Sequence, residues 1–186
     1  MRIIRNERDY TGPGAVLALG MFDGVHIGHR ALITRAVALA GELGAESMVC
    51  TFDRHPRSVL FPENAPEMLM TTDEQLAAFR ELGVDWALVK PFTREFADVE
   101  PEAYITSLVW GTYARGIVCG ENYTFGKGGR GNTDMLREMA EELGFRLEVL
   151  ESVRDGGDVV SSTLIRSLIA DGDTARADRL LGRTGA

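Results

Sequence analysis

"AVLALGMFDGVHIGHRALITRAVALAGELG", Ala15 to Gly44, decides how this chain is read. Its first six residues form an apolar run closed by Gly20, the pattern of a strand buried on both faces. From the stretch between Ile27 and His29 onward, apolar residues recur at helical spacing, and Gly44 supplies the stop. A turn joins the two, and Gly20 and Gly24 let its backbone pass close to a ligand. The helix that follows offers unpaired N–H groups and the positive end of its dipole to whatever lies at the sheet edge, and phosphate suits that place. His26 and His29 flank the helix start one turn apart, with Gly28 between them. Both imidazoles can face one anion.

The same alternation continues outward. "SMVCTF", "DWALVK", "RGIVCG" and "RLEVLE" read as further strands. Helical patterns separate them, at "TTDEQLAAFRELG", "EPEAYITSLVWGTY" and "TDMLREMAEELG". Thr72 and Gln75 stand in capping-box spacing at the first of these, Gly83 closes it, and Pro101 suits the first turn of the second. "SSTLIRSLIADG" and "TARADRLLG" close the chain as two short helices. Strands separated by helices predict an α/β fold, a central parallel five-stranded sheet with helices on both faces. No repeat or linker divides the chain, so residues 1–186 read as one domain. Two irregular stretches, "DRHPRSVLFPENAPEMLM" and "GENYTFGKGGRGN", follow the second and fourth strands. Both are expected at the C-terminal edge of the sheet, where ligands bind in open α/β folds.

Composition narrows the function. The 186 residues carry a formal net charge of −8, which argues against broad salt-driven binding to nucleic acid. The mixed-charge start "MRIIRNERDY" has no apolar signal core, and no apolar run spans a bilayer, so the expectation is a cytoplasmic chain without membrane contact. Cys50 and Cys119 each follow a valine in a buried-strand pattern and read as reduced core residues. Three histidines can supply three zinc ligands if His55 joins the pair, but phosphate chemistry accounts better for the surrounding glycines.

Phe22-Asp23-Gly24-Val25-His26-Ile27-Gly28-His29 resembles the His-x-Gly-His motif of nucleotidyltransferases. "TFDRHP" (Thr51–Pro56), "GENYTFG" (Gly120–Gly126), "SSTLIR" (Ser161–Arg166) and "LLGR" (Leu180–Arg183) resemble, in order, the other motifs of the FMN adenylyltransferase module of bacterial FAD synthetases. The resemblance covers nearly the whole chain. It implies a Rossmann-like nucleotidyltransferase fold and transfer of the adenylyl group of ATP to FMN, giving FAD and pyrophosphate. It also implies Mg²⁺ travelling with ATP and no resident metal site. In that reading His26, His29 and Arg166 do the catalytic work by positioning and neutralising phosphate charge. Gly20, Phe22, Asp23, Gly28, Ser161, Ser162 and Thr163 form the ATP side. Phe52, His55, Pro56, Asn122 and Phe125 form the flavin side.

Each assignment has a plainer counterpart. Phe52 reads equally as core packing at a strand end, and Tyr123 reads better as core or surface. Asp23 orients a histidine, meets Mg²⁺ or simply forms the turn. The family often carries a basic residue just before "SSTLIR", whereas Val159 and Val160 stand here. Lys127 or Arg130 compensates for it, or both sit on a solvated glycine-rich loop. Nothing resembles the Pro-Thr-Ala-Asn segment of the riboflavin kinase found in bifunctional relatives, so that domain is expected to be absent from these residues, whether they form a whole protein or one module. Two other functions stay open: a nucleotidyltransferase for another phosphorylated acceptor, and a non-catalytic flavin- or nucleotide-binding module.

Overall fold

The computed structural model describes residues 1–183. In it β2 (Ala15–Leu19) runs through the 20–26 turn into α1 (Ile27–Leu43). Gly44 ends that helix in the left-handed conformation, φ 60°, as its position predicts. β3 (Glu46–Phe52), β4 (Trp86–Lys90), β5 (Gly116–Gly120) and β6 (Arg146–Leu150) follow the sequence reading. A short edge strand, β1 (Arg2–Ile4), joins them, so the central sheet has six strands in the order β1-β4-β3-β2-β5-β6 instead of the expected five. All its pairings are parallel. β1 escapes sequence reading because three residues at an edge, two of them exposed and one an arginine, carry neither periodicity nor an apolar run.

Period-2 alternation explains the two cores. Ala15, Leu17 and Leu19 of β2 point into one cluster, where α5 (Pro101–Thr112) and α6 (Thr133–Leu143) pack through Tyr104, Ile105, Leu108 and Leu136. Val16 and Ala18 point into the opposite cluster, covered by α1 and by α3 (Thr72–Glu81) through Ile33, Leu39 and Phe79. The capping box of α3 sits one residue earlier than its spacing suggested. Thr71 is the N-cap, and its hydroxyl and the Glu74 carboxylate reciprocate, while Thr72 is already helical. The two patterns overlap in "TTDEQ", and only backbone geometry separates them.

The long irregular stretches are partly ordered. α2 (Pro56–Leu60) forms within residues 53–70, and α4 (Arg94–Ala97) follows β4. A small hairpin, β7 (Arg154–Asp155) and β8 (Asp158–Val159), leads into α7 (Ser162–Ala170) and α8 (Thr174–Leu180). These last helices share a separate apolar cluster of Val160, Ile165, Leu168 and Leu180, packed against Ile27 and Leu69. That cluster brings the C-terminal motif against the start of α1. Cys50 and Cys119 are buried free thiols on opposite flanks of β2. Among the described residues no helix is long and apolar enough to cross a membrane.

Candidate active site

From β2 the chain moves to β3 and β4 on one side, and returns to β5 and β6 on the other. The carboxyl ends of β2 and β5 therefore border a topological switch point, the place where such sheets hold ligands. A cavity of about 790 Å³ opens there. Every residue singled out above for ATP or flavin borders it.

One end of the cavity is built from helix N-termini. His26 caps α1: its Nδ1 accepts the backbone N–H of His29 at 3.2 Å. An accepting Nδ1 places the neutral ring's proton on Nε2. The His29 ring stacks on the His26 ring, centroids 3.5 Å apart, and meets Phe22 edge-on at 5.3 Å. Burial lowers the pKa of His26 to about 4, and that of His29 well below its ordinary value. In this state both imidazoles are neutral hydrogen-bonding groups rather than the fixed cations a charge-neutralising role suggests. Gly28 leaves room between the helix start and the hairpin. A methyl group there would lie 3.3 Å from the His26 ring.

The second N-terminus belongs to α7. Ser161 caps it, its hydroxyl accepting the Leu164 N–H at 3.2 Å. The Ser162 hydroxyl donates to the Asp23 carbonyl at 2.9 Å and is thereby committed to protein. Thr163 is exposed and keeps its hydroxyl at the surface of the first turn. Arg166 is less free than a permanent phosphate donor would be: its Nε donates to the Glu67 carbonyl at 2.7 Å and its Nη2 pairs with Asp23.

The turn that carries these groups is over-determined. Phe22 and Val25 hold positive φ, 53° and 39°, rare for such side chains. Thr51 donates to the Met21 carbonyl and Gln75 to the Phe22 carbonyl. The Phe22 ring is buried against Phe79 and His29 at the cavity border, where it secures the turn.

The opposite end is aromatic. Phe52 at the end of β3 contacts Phe92 and Phe96, with ring centroids 5.1 and 5.4 Å away. Phe96 leads on to Tyr104, and Tyr123 stacks on Phe125 at 5.6 Å. Phe52 thus belongs both to packing and to the cavity wall. Tyr123, read from sequence as core or surface, is half-buried and lines the cavity. His55 caps α2, accepting the Arg57 N–H at 3.1 Å, with Pro56 as that helix's first residue. Burial and the neighbouring Arg166 charge lower the His55 pKa. Asn122 is exposed at the rim, beside Gly120. Phe92, Phe96 and Tyr104 were missed from sequence. The signal for the first two was their place after a strand, at the edge where ligands bind; Tyr104 reads only as the buried face of a helix.

Neither loop cation replaces the absent basic residue. Lys127 pairs with Asp98 at 3.0 Å and Arg130 with Glu100, which draws both toward the segment before α5 and away from the cavity lining. Among the described residues no three His, Cys, Asp or Glu side chains gather as a metal ion would require.

The model of the FAD synthetase family matches residues 9–164. The chain belongs to the FAD synthetase family. It is 34% identical over 94% of its length to the bifunctional riboflavin kinase/FMN adenylyltransferase of Listeria monocytogenes, covering 55% of that protein. It is 33% identical over 98% of its length to the protein of that name from Escherichia coli strain K12, covering 58%. A putative bifunctional riboflavin kinase/FMN adenylyltransferase of Geobacillus thermodenitrificans is 33% identical over 98% of the chain and is itself covered over 97%. The chain thus spans little more than half the length of the first two relatives. A solved structure described as macrolide-efflux protein from Streptococcus pneumoniae superposes with a TM-score of 0.86 at 28% identity, covering 97% of this chain and 59% of that one.

Proposed function

We propose that this chain transfers the adenylyl group of ATP to FMN. The observation that carries the reading is the single cavity: two helix N-termini, two imidazoles and Arg166 at one end, and a wall of Phe52, Phe96, Tyr123 and Phe125 at the other. An oxygen of the FMN phosphate attacks the α-phosphorus, the bond from that phosphorus to the bridging oxygen breaks, and pyrophosphate leaves. The attacking phosphate is already anionic near neutral pH, so the step needs no strong base. It needs alignment and donors for the charge on the transferring phosphoryl group.

The α1 and α7 N–H groups, His26 Nε2 and His29 suit that task, and an arriving phosphate raises the pKa of the imidazoles it meets. Mg²⁺, when bound with the triphosphate, would offset part of its charge. Asp23 is engaged by Arg166 and Leu69, so a metal arriving with the nucleotide would be held by its phosphates and not by this carboxylate. The aromatic wall favours flavin over another phosphorylated acceptor. The acidic chain acts in the cytoplasm on these small molecules, without nucleic acid or membrane.

Among the described residues Arg166 is the only Lys or Arg lining the cavity, and it is already paired, which favours one second reading: a module that binds flavin without turnover. The experiment is to incubate the purified chain with ATP, Mg²⁺ and FMN and resolve the flavins by chromatography. FAD formation supports the transferase. Bound FMN with no FAD moves the assignment to the binding module.

A further inference from the structure

Asp23 lines the cavity beside Arg166. Its side chain is 3% exposed. One carboxylate oxygen accepts the Leu69 N–H at 2.9 Å, and the other pairs with Arg166 Nη2. Its backbone carbonyl accepts the Ser162 hydroxyl. Arg166 in turn donates from Nε to the Glu67 carbonyl. The 20–26 turn, the first turns of α7 and the end of the 53–70 segment are therefore tied together at one carboxylate. The same segment carries His55 and Pro56 on the flavin side.

Two features separate this cluster from an ordinary ion pair. First, burial pushes the Asp23 carboxyl up, with the Leu69 N–H and Arg166 opposing that, and a charge pair held out of water is weak evidence for stability. Second, a guanidinium pinned at Nε and Nη2 has its plane set. Its Nη1, which has no partner among the described residues, is left for a phosphate oxygen.

We propose that Asp23 is a positioning residue that aims Arg166 at the ATP phosphates and, through Glu67 and Leu69, couples nucleotide binding to the flavin-side segment, without itself touching ATP. The proposal rests on the transferase reading above. A nucleotide that engages Arg166 acts on the Glu67 carbonyl through the same guanidinium, so nucleotide and flavin affinities depend on each other, reciprocally.

The test measures FMN affinity from flavin fluorescence, with and without a non-hydrolysable ATP analogue and Mg²⁺. In the unmodified chain the analogue shifts that affinity by about fivefold or more. Asp23→Asn keeps an oxygen for the Leu69 N–H but loses the charge that holds Arg166. It abolishes the shift and lowers kcat for FAD by about 10²-fold, while the ATP KM moves by less than about threefold.

An intact shift in Asp23→Asn overturns the proposal. So does a raised ATP KM with unchanged kcat, which would mean direct contact with nucleotide. If thermal melting shows that this variant does not fold, Arg166→Lys decides: it keeps the charge, loses the two-point tether and must lose the shift, and a retained shift overturns the proposal. An unmodified chain that makes no FAD yet shows the shift removes the transferase reading and leaves the coupling standing. A chain that makes FAD with an FMN affinity indifferent to nucleotide removes the coupling alone.

Discussion

His26 performs three local tasks: it caps α1, fixes its own tautomer through the His29 N–H, and stacks on the His29 ring. Burial charges a cost for this arrangement that pH reveals. The unfolded chain takes up a proton on this imidazole near pH 6.5, whereas the folded chain resists until about 4. Between those values the unfolded state binds more protons, so stability falls as pH drops through the window and is flat above it. At the bottom of the window the loss from His26 alone is up to about 3 kcal/mol. Thermal melting from pH 7 downward is expected to show that decline, and His26→Asn to make it shallower, since burial lowers the His29 pKa as well; a melting temperature equal at pH 7 and pH 5 contradicts it. His29 acts on ATP phosphates in our reading. His29→Ala should lower the rate of FAD formation by about 10²–10³-fold while FMN binding, followed by fluorescence, stays near its original value. Equal loss of both would assign His29 to the flavin side or to the fold.

At the scale of single elements, α3 gives a clean case because its cap is exposed. Thr71 accepts the Glu74 N–H, and the Glu74 carboxylate returns a bond to the Thr71 N–H at 2.7 Å. Thr71→Ala should cost about 1 kcal/mol in urea denaturation, and Thr72→Ala a fraction of that. The opposite ranking would restore the cap to Thr72, where the sequence spacing put it. The 120–132 segment makes a different point. A methyl group on Gly131 would lie 2.5 Å from the Phe125 ring, and one on Gly126 2.5 Å from Pro101. These glycines let the loop fold tightly enough to seat Phe125 in the cavity wall, which no count of turn-forming residues reveals.

For the whole molecule, the strand order places the cavity and so decides which loops can meet. Five strands, both helix layers and the edge where the cavity opens were legible, because apolar period and glycine stops act over a few residues. The edge strand Arg2–Ile4 was not, since its pairing with β4 depends on residues more than eighty positions away. Supplied with riboflavin and ATP, these residues should form no FMN, because no segment of theirs resembles the kinase motif. FMN appearing from pure protein would place a second activity within the same chain.

What the sequence determined by itself was the kind of fold, the clustering of the candidate residues, and the phosphate-suited strand-to-helix turn. Each follows from short-range pattern or from a motif whose spacing carries its own geometry. Packing alone settled which of those groups are free. Arg166 and Asp23 lie 143 residues apart and neutralise each other; Ser162 is spent on the Asp23 carbonyl; Lys127 and Arg130 turn to Asp98 and Glu100. Partner choice among charged and hydroxyl groups is a matter of which side chains burial forces within hydrogen-bond reach, and that is set by the packing of distant segments rather than by any local run of residues.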